Sequence, residues 1–162
     1  MGEYDGSLGA GGYYLSLTPS VESYESCAAE AAVLTALHWQ EMYGKQGYRA
    51  NHGGMVDLEK AGGFAYFTLR DTDGKLCGHA GFMVLNSPFY GMLIAIDVFY
   101  FVLPEHRGGL GICKLLRLAG EHMTKCGIRR IMASHHVGSD LHPILERAGY
   151  VMSASMFTFR SK

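Results

Sequence analysis

The sequence predicts one α+β domain built on a mixed, mainly antiparallel central sheet flanked by helices. Three observations lead there. Residues 64–69 and 76–85 are apolar, aromatic-bearing runs of strand length. Between them stands Arg70-Asp71-Thr72-Asp73-Gly74-Lys75, whose Asp-Gly pair favours a tight hairpin turn. A third apolar run, residues 92–103, is halted by Pro104 and completes an antiparallel meander. On both sides of the meander apolar residues recur at helical spacing, which covers the sheet.

Taken in order, residues 1–12 hold five glycines and almost nothing apolar, so they read as a flexible lead-in to a domain spanning 13–162. Residues 13–17 predict a short strand. Thr18-Pro19 then predicts a helix start, with Thr18 as the cap and Pro19 at the first helical position, where its missing N–H costs nothing. Val21, Tyr24, Ala28, Ala31, Leu34, Leu37 and Met42 continue at helical spacing to Gly44. Residues 49–54 are polar and glycine-bearing, and a short helix over 55–61 ends at Gly62-Gly63. Beyond Pro104 the spacing predicts a helix over 109–126 closed by Gly127, a strand over 128–134, a helix over 140–148 closed by Gly149 and a last strand over 150–159.

Composition narrows the function. With 162 residues, 48% hydrophobic and 18% charged, the chain can build one core without staples, and no internal repeat is visible. Lys and Arg number 14 against 15 Asp and Glu, a net charge of -1, so the basic excess that a phosphate backbone demands is missing and nucleic acid is not the expected partner. No apolar run approaches the roughly 20 residues of a membrane span. The first residues lack a signal-peptide pattern, which predicts a cytoplasmic protein. Four cysteines without CxxC spacing predict reduced thiols.

The stretch that carries chemistry runs Val102-Leu103-Pro104-Glu105-His106-Arg107-Gly108-Gly109-Leu110-Gly111-Ile112. A strand stops at proline, a turn with an arginine and three glycines follows, and a helix begins at once. Glycines let a ligand approach the backbone, and unpaired amides at a helix start favour an anion such as pyrophosphate. A tight strand-to-helix turn alone would also explain them. The P-loop pattern is absent, and the dinucleotide fingerprint would need glycine where Lys114 stands and an acidic residue where His135-His136 stands.

The Pro-Glu-His-Arg-Gly-Gly turn, the Leu-Leu helix, the Ile-Arg-Arg-Ile strand (128–131) and the ending Leu-Glu-Arg-Ala-Gly-Tyr (145–150) resemble the GCN5-related N-acetyltransferase (GNAT) family over residues 58–160. Leu58-Glu59-Lys60-Ala61-Gly62, Thr68-Leu69-Arg70-Asp71 and residues 140–147 resemble its small bacteriophage-encoded members. The resemblance implies an N-acetyltransferase moving an acetyl group from acetyl-CoA, as co-substrate, to a primary amine by direct attack. Pyrophosphate would lie on Arg107, Gly108, Gly109, Leu110, Gly111 and Ile112, and pantetheine along Tyr100, Phe101 and Val102, where the family's strand parts from the next. The family's glycine pattern fits when started from His106 rather than Arg107. Its helix tyrosine, which protonates the leaving thiolate, is replaced here by Leu145.

The base must come from elsewhere. Asp97 interrupts an apolar strand, where burial would raise its pKa and poise it to take a proton from an ammonium; a structural hydrogen-bonding role is the competing reading. His135 and His136, at the exit of the next strand, are the alternative. No metal site is expected, since the histidines and cysteines show no recognised ligand spacing. The acceptor, a small molecule, peptide or protein lysine, stays open, as does a homodimer. The rival reading is a catalytically degenerate domain of the same fold that binds a host protein.

Overall fold

A computed structural model describes residues 16–44, 49–134 and 141–152. Five strands form one sheet in the order of the chain: β1 (Thr18–Val21), β2 (Phe64–Arg70), β3 (Leu76–Ser87), β4 (Met92–Val102) and β5 (Arg130–Met132). The first four are antiparallel neighbours, and β5 runs parallel to β4. The helices are α1 (Tyr24–Tyr43), α2 (His52–Lys60), α3 (Gly111–Lys125) and α4 (His142–Ala148).

Strand alternation divides the core in two. Phe67, Leu69, Ala80, Phe82, Ala95 and Val102 meet Leu115, Leu116, Ala119 and Met123 of α3 and Leu145 and Ala148 of α4. On the opposite face Phe64, Tyr66 and Phe99 meet Tyr24, Cys27 and Ala31 of α1, with Met55 and Val56 of α2 against them. The aromatic runs of β2 and β4 are thus core, as is Cys113. All four cysteines are free thiols.

A bulge interrupts the alternation where it matters. Gly81 pairs with Phe99 and Phe82 with Asp97, so Val98 is an extra residue on β4. Without it, residues three apart would face opposite sides of the sheet. With it, Asp97 lies opposite Phe82 and Tyr100 opposite Ala80, both members of the α3-side core. A Cβ on Gly81 would come 2.7 Å from the Phe64 and Phe99 rings, so only glycine fits beneath them.

Several elements differ from the sequence expectation. Thr18–Val21 is an edge strand, not a helix start: it pairs with β2 from Thr18↔Arg70 to Val21↔Phe67, and at the sheet edge Pro19 is tolerated. The helix begins at Tyr24, and its first turn is capped from a distance: Glu59 of α2 accepts from the Tyr24 amide at 2.6 Å and from Ser23 Oγ at 2.9 Å. The second helix starts at His52 rather than 55, because Asn51 Oδ1 accepts from the Gly54 amide at 2.9 Å. The fifth strand is three residues long, and residues 150–152 are not strand. The lead-in 1–12, most of the strand expected at 13–17, and 153–159 of the last expected strand lie outside the described residues.

Glu22, between β1 and α1, ties the edge strand down. It accepts from Arg70 Nε at 2.8 Å and Nη2 at 3.0 Å, and Thr68 and Ser20 Oγ also donate to it. The guanidinium holds the Glu22 carboxyl down at about 2, against the opposing effect of burial. Glu22→Gln is expected to lower stability at pH 7 by about 1.5–3 kcal/mol, the range for hydrogen bonds to a charged group. A depressed folded-state pKa gives stability that is complete above the usual 4.5 and lost as pH falls toward 2. The gap between wild type and variant in urea unfolding should therefore shrink over that window; a constant gap would contradict this role.

Candidate active site

The strand β4 carries both halves of the site, a fork along its length and a glycine turn beyond its end. The fork follows from how short β5 is. Parallel pairing covers Ile94↔Arg130, Ala95↔Ile131 and Ile96↔Met132 and then stops. At the next position the Asp97 side chain takes over: Oδ1 accepts from the Ser134 amide at 3.1 Å, and Ser134 Oγ donates to Oδ2 at 2.9 Å. A carboxylate thus replaces a backbone carbonyl as the partner of the departing chain, and the two strands separate there.

Burial raises the pKa of the half-buried Asp97, and the hydrogen bonds from Ser134 pull it back. Tyr100 lies on the same face and donates its hydroxyl proton to the Ser134 carbonyl. Tyr150 donates to the Leu116 carbonyl at 3.2 Å. Burial first, and the Asp97 charge second, raise both phenols, Tyr150 to about 12, so both stay protonated at neutral pH. Phe101 turns away, buried and stacked on His38 with centroids 5.1 Å apart, while Val102 points into the α3-side core. Leu145, where the family pattern has tyrosine, is core. His135 and His136 lie outside the described residues.

Past β4, Pro104–His106 makes one 3-10 turn, Arg107 is extended, and α3 opens at Gly111 without a side-chain cap. The first hydrogen bond there runs from the Lys114 amide to the Leu110 carbonyl at 2.9 Å, so the amides just before it have no partner within the helix. The three glycines differ in cause. Gly108 has φ +90°, which disfavours any side chain. Gly111 is packed: a Cβ would stand 2.8 Å from Leu17 Cδ1 and 3.0 Å from Leu69 Cδ2. Gly109 has neither constraint: among the described residues, no heavy atom beyond its own chain neighbours lies within 4 Å of where its Cβ would be. The open space over Gly109 is what an anion approaching the helix start would occupy.

Arg107 is held on the other side of the turn. Its Nε donates to the Val102 carbonyl at 2.8 Å, and Nη1 and Nη2 make a bidentate pair with Glu41 of α1 at 3.0 and 2.7 Å. The guanidinium also lies 5.1 Å from the Phe101 ring centroid.

No family model matches the chain, and no curated protein does. Solved structures do match. The chain is similar to a ribosomal-protein-alanine N-acetyltransferase from Brucella melitensis biovar Abortus, at 18% identity over 91% of this chain and 100% of that one, with a TM-score of 0.68. The fold is that of the GNAT acetyltransferases. An acetyltransferase of Trypanosoma brucei superposes at TM-score 0.68 and 15% identity over 90% of this chain and 100% of that one. AAC(6')-Iy, solved with the bisubstrate analogue CoA-S-monomethyl-acetylneamine, superposes at 0.70 and 15% identity over 91% and 99%.

Within this GNAT fold Asp97 and Tyr100 come together at the fork and Gly108, Gly109, Leu110, Gly111 and Ile112 at the turn, while the Arg107 guanidinium joins α1 instead. Sequence reasoning missed Ser134, Tyr150 and Glu41. Ser134 was readable only as the end of a strand, and nothing local links Glu41 to an arginine 66 positions on.

Proposed function

We propose that this chain is an N-acetyltransferase that moves an acetyl group from acetyl-CoA to a primary amine. The observation that carries the reading is the open, unconstrained Gly109 above unpaired helix-start amides, at the exit of a strand whose outer edge is released by the fork. The fold supports it. So do the neighbours: one is a ribosomal-protein-alanine N-acetyltransferase, and another was captured with a CoA-linked aminoglycoside analogue.

Pyrophosphate sits on the amides of Gly108, Gly109, Leu110, Gly111 and Ile112, and the helix dipole adds to the attraction. The pantetheine arm runs along Tyr100, Phe101 and Val102, using the strand edge that β5 vacates. Asp97, with its pKa raised by burial, takes a proton from the ammonium of the acceptor, with His135 or His136 as the alternative base. The free amine attacks the thioester carbonyl carbon, the C–S bond breaks, the acylated nitrogen gives up its second proton to water, and the CoA thiolate takes a proton from water. Tyr100 and Tyr150 keep their protons at neutral pH, burial makes both weaker acids than an ordinary phenol, and each hydroxyl already donates to a backbone carbonyl, which leaves water as the proton source. Small amines, peptides and protein lysines all carry the required nucleophile.

The experiment is mass spectrometry of a panel of polyamines, aminoglycosides, peptides and lysine-bearing proteins after incubation with acetyl-CoA. A gain of one acetyl group on an amine, dependent on the protein, is expected. CoA binding without acetylation of any class would favour the non-catalytic alternative.

Arg107→Ala is expected to weaken CoA by about 1.5–3 kcal/mol if the guanidinium leaves Glu41 for a phosphate, and to weaken phosphate-free pantetheine less. Calorimetry with both ligands checks this. Equal losses would assign Arg107 to holding the turn through Val102 and Glu41.

A further inference from the structure

Asp71, Cys77 and His106 meet at the end of the β2–β3 hairpin, with one donor atom from each lying within 4.8 Å of the other two. We infer that these three residues bind a single zinc-type divalent transition-metal ion. The donors come from three segments: Asp71 just past β2, Cys77 in β3 and His106 at the end of the 3-10 turn. The backbone fixes all three. The Asp71 amide donates to the Lys75 carbonyl at 3.0 Å, the Leu103 amide to the Cys77 carbonyl at 2.9 Å, and the His106 amide to the Leu103 carbonyl at 2.9 Å.

The carboxylate is oriented as a ligand would be. Asp71 Oδ1 accepts from the amides of Asp73 at 3.0 Å and Lys75 at 2.9 Å, which leaves Oδ2 facing Cys77 Sγ at 3.6 Å. Cys77 is buried, whereas Asp71 and His106 are half-exposed, so an ion can enter from solvent and find the sulfur shielded. Thiolate, imidazole and carboxylate together suit zinc or cobalt and not magnesium or calcium. Ligands of a tetrahedral zinc stand roughly 3.3–3.7 Å apart, so closure needs side-chain movements of about 1 Å, with water in the fourth position. On binding, the Sγ–H bond gives way to a sulfur–metal bond and the proton leaves to water.

The test is titration of chelator-treated protein with Co²⁺ alone. One equivalent should produce the near-ultraviolet thiolate-to-cobalt band and the visible bands of a tetrahedral ion, and Zn²⁺ should abolish them. Both should vanish in Cys77→Ser and weaken at least tenfold in titre in His106→Asn. They should persist in Cys126→Ser, which removes the exposed His122–Cys126 pair, whose atoms are 3.6 Å apart. Should Cys77→Ser fail to fold, His106→Asn decides, with circular dichroism as the folding control. No band at one equivalent in wild type, or bands that survive His106→Asn unchanged or disappear in Cys126→Ser, would overturn the assignment.

Discussion

Gly109→Asp is expected to abolish CoA binding while leaving the fold intact. The neighbouring glycines cannot give so clean a result: substitution at Gly108 meets a φ of +90°, and at Gly111 a side chain runs into Leu17 and Leu69. At Gly109 a Cβ meets no heavy atom of the described residues within 4 Å beyond its chain neighbours, so none of them opposes it. What it opposes is the ligand. An aspartate there places bulk and negative charge where pyrophosphate must approach, and each hydrogen bond lost to a charged oxygen costs about 1.5–3 kcal/mol. Losing two or more weakens binding by at least about 10²-fold. Calorimetry should show no binding in a variant whose thermal unfolding matches wild type; unchanged affinity would remove the turn from the site.

Asp97→Asn is expected to lower turnover by about 10²-fold or more with CoA affinity unchanged. Asparagine keeps an oxygen that can accept from the Ser134 amide, so the fork survives while the basic group is lost. The pH profile separates the two roles of this residue. A carboxylic base is active only when ionised, so wild-type turnover should fall as pH drops through its raised pKa, and Asp97→Asn should lose that limb. Asp97→Ala should in addition impair folding or CoA binding, because Ser134 is then left without its partner. Wild-type turnover and pH dependence in Asp97→Asn would leave the residue a structural peg. A matching loss in His135→Gln or His136→Gln would move the base to that pair.

What could be read in the sequence was what is local. The Asp-Gly hairpin, the Pro104 stop and the glycine turn each depend on a few adjacent residues, and all stand where the letters placed them. Thr18-Pro19, read as a helix start, is a sheet edge: a Thr-Pro pair suits both, and only pairing with β2 decides between them. Gly53-Gly54 argued for a loop because glycine weakens helices, yet the Asn51 cap carries the helix through them. The fork was expected only from the family resemblance and not from the residues themselves, because 128–134 is strand-like throughout and its pairing stops for a reason supplied by Asp97 on another strand. Side-chain partnerships across the chain, Arg107 with Glu41 and Asp71 with Cys77 and His106, have no sequence signature.

Acetyl-CoA is expected to lie from the turn after Pro104 into the fork. An NMR titration of the ¹⁵N-labelled protein with acetyl-CoA, following each backbone amide, reads this placement residue by residue. Saturable shifts are expected at Gly108, Gly109, Leu110, Gly111 and Ile112, continuing along Tyr100, Phe101 and Val102 toward Ser134. CoA should reproduce the turn shifts and differ from acetyl-CoA at the fork. An absence of shifts at millimolar acetyl-CoA, or saturable shifts confined to other surfaces, would contradict this placement.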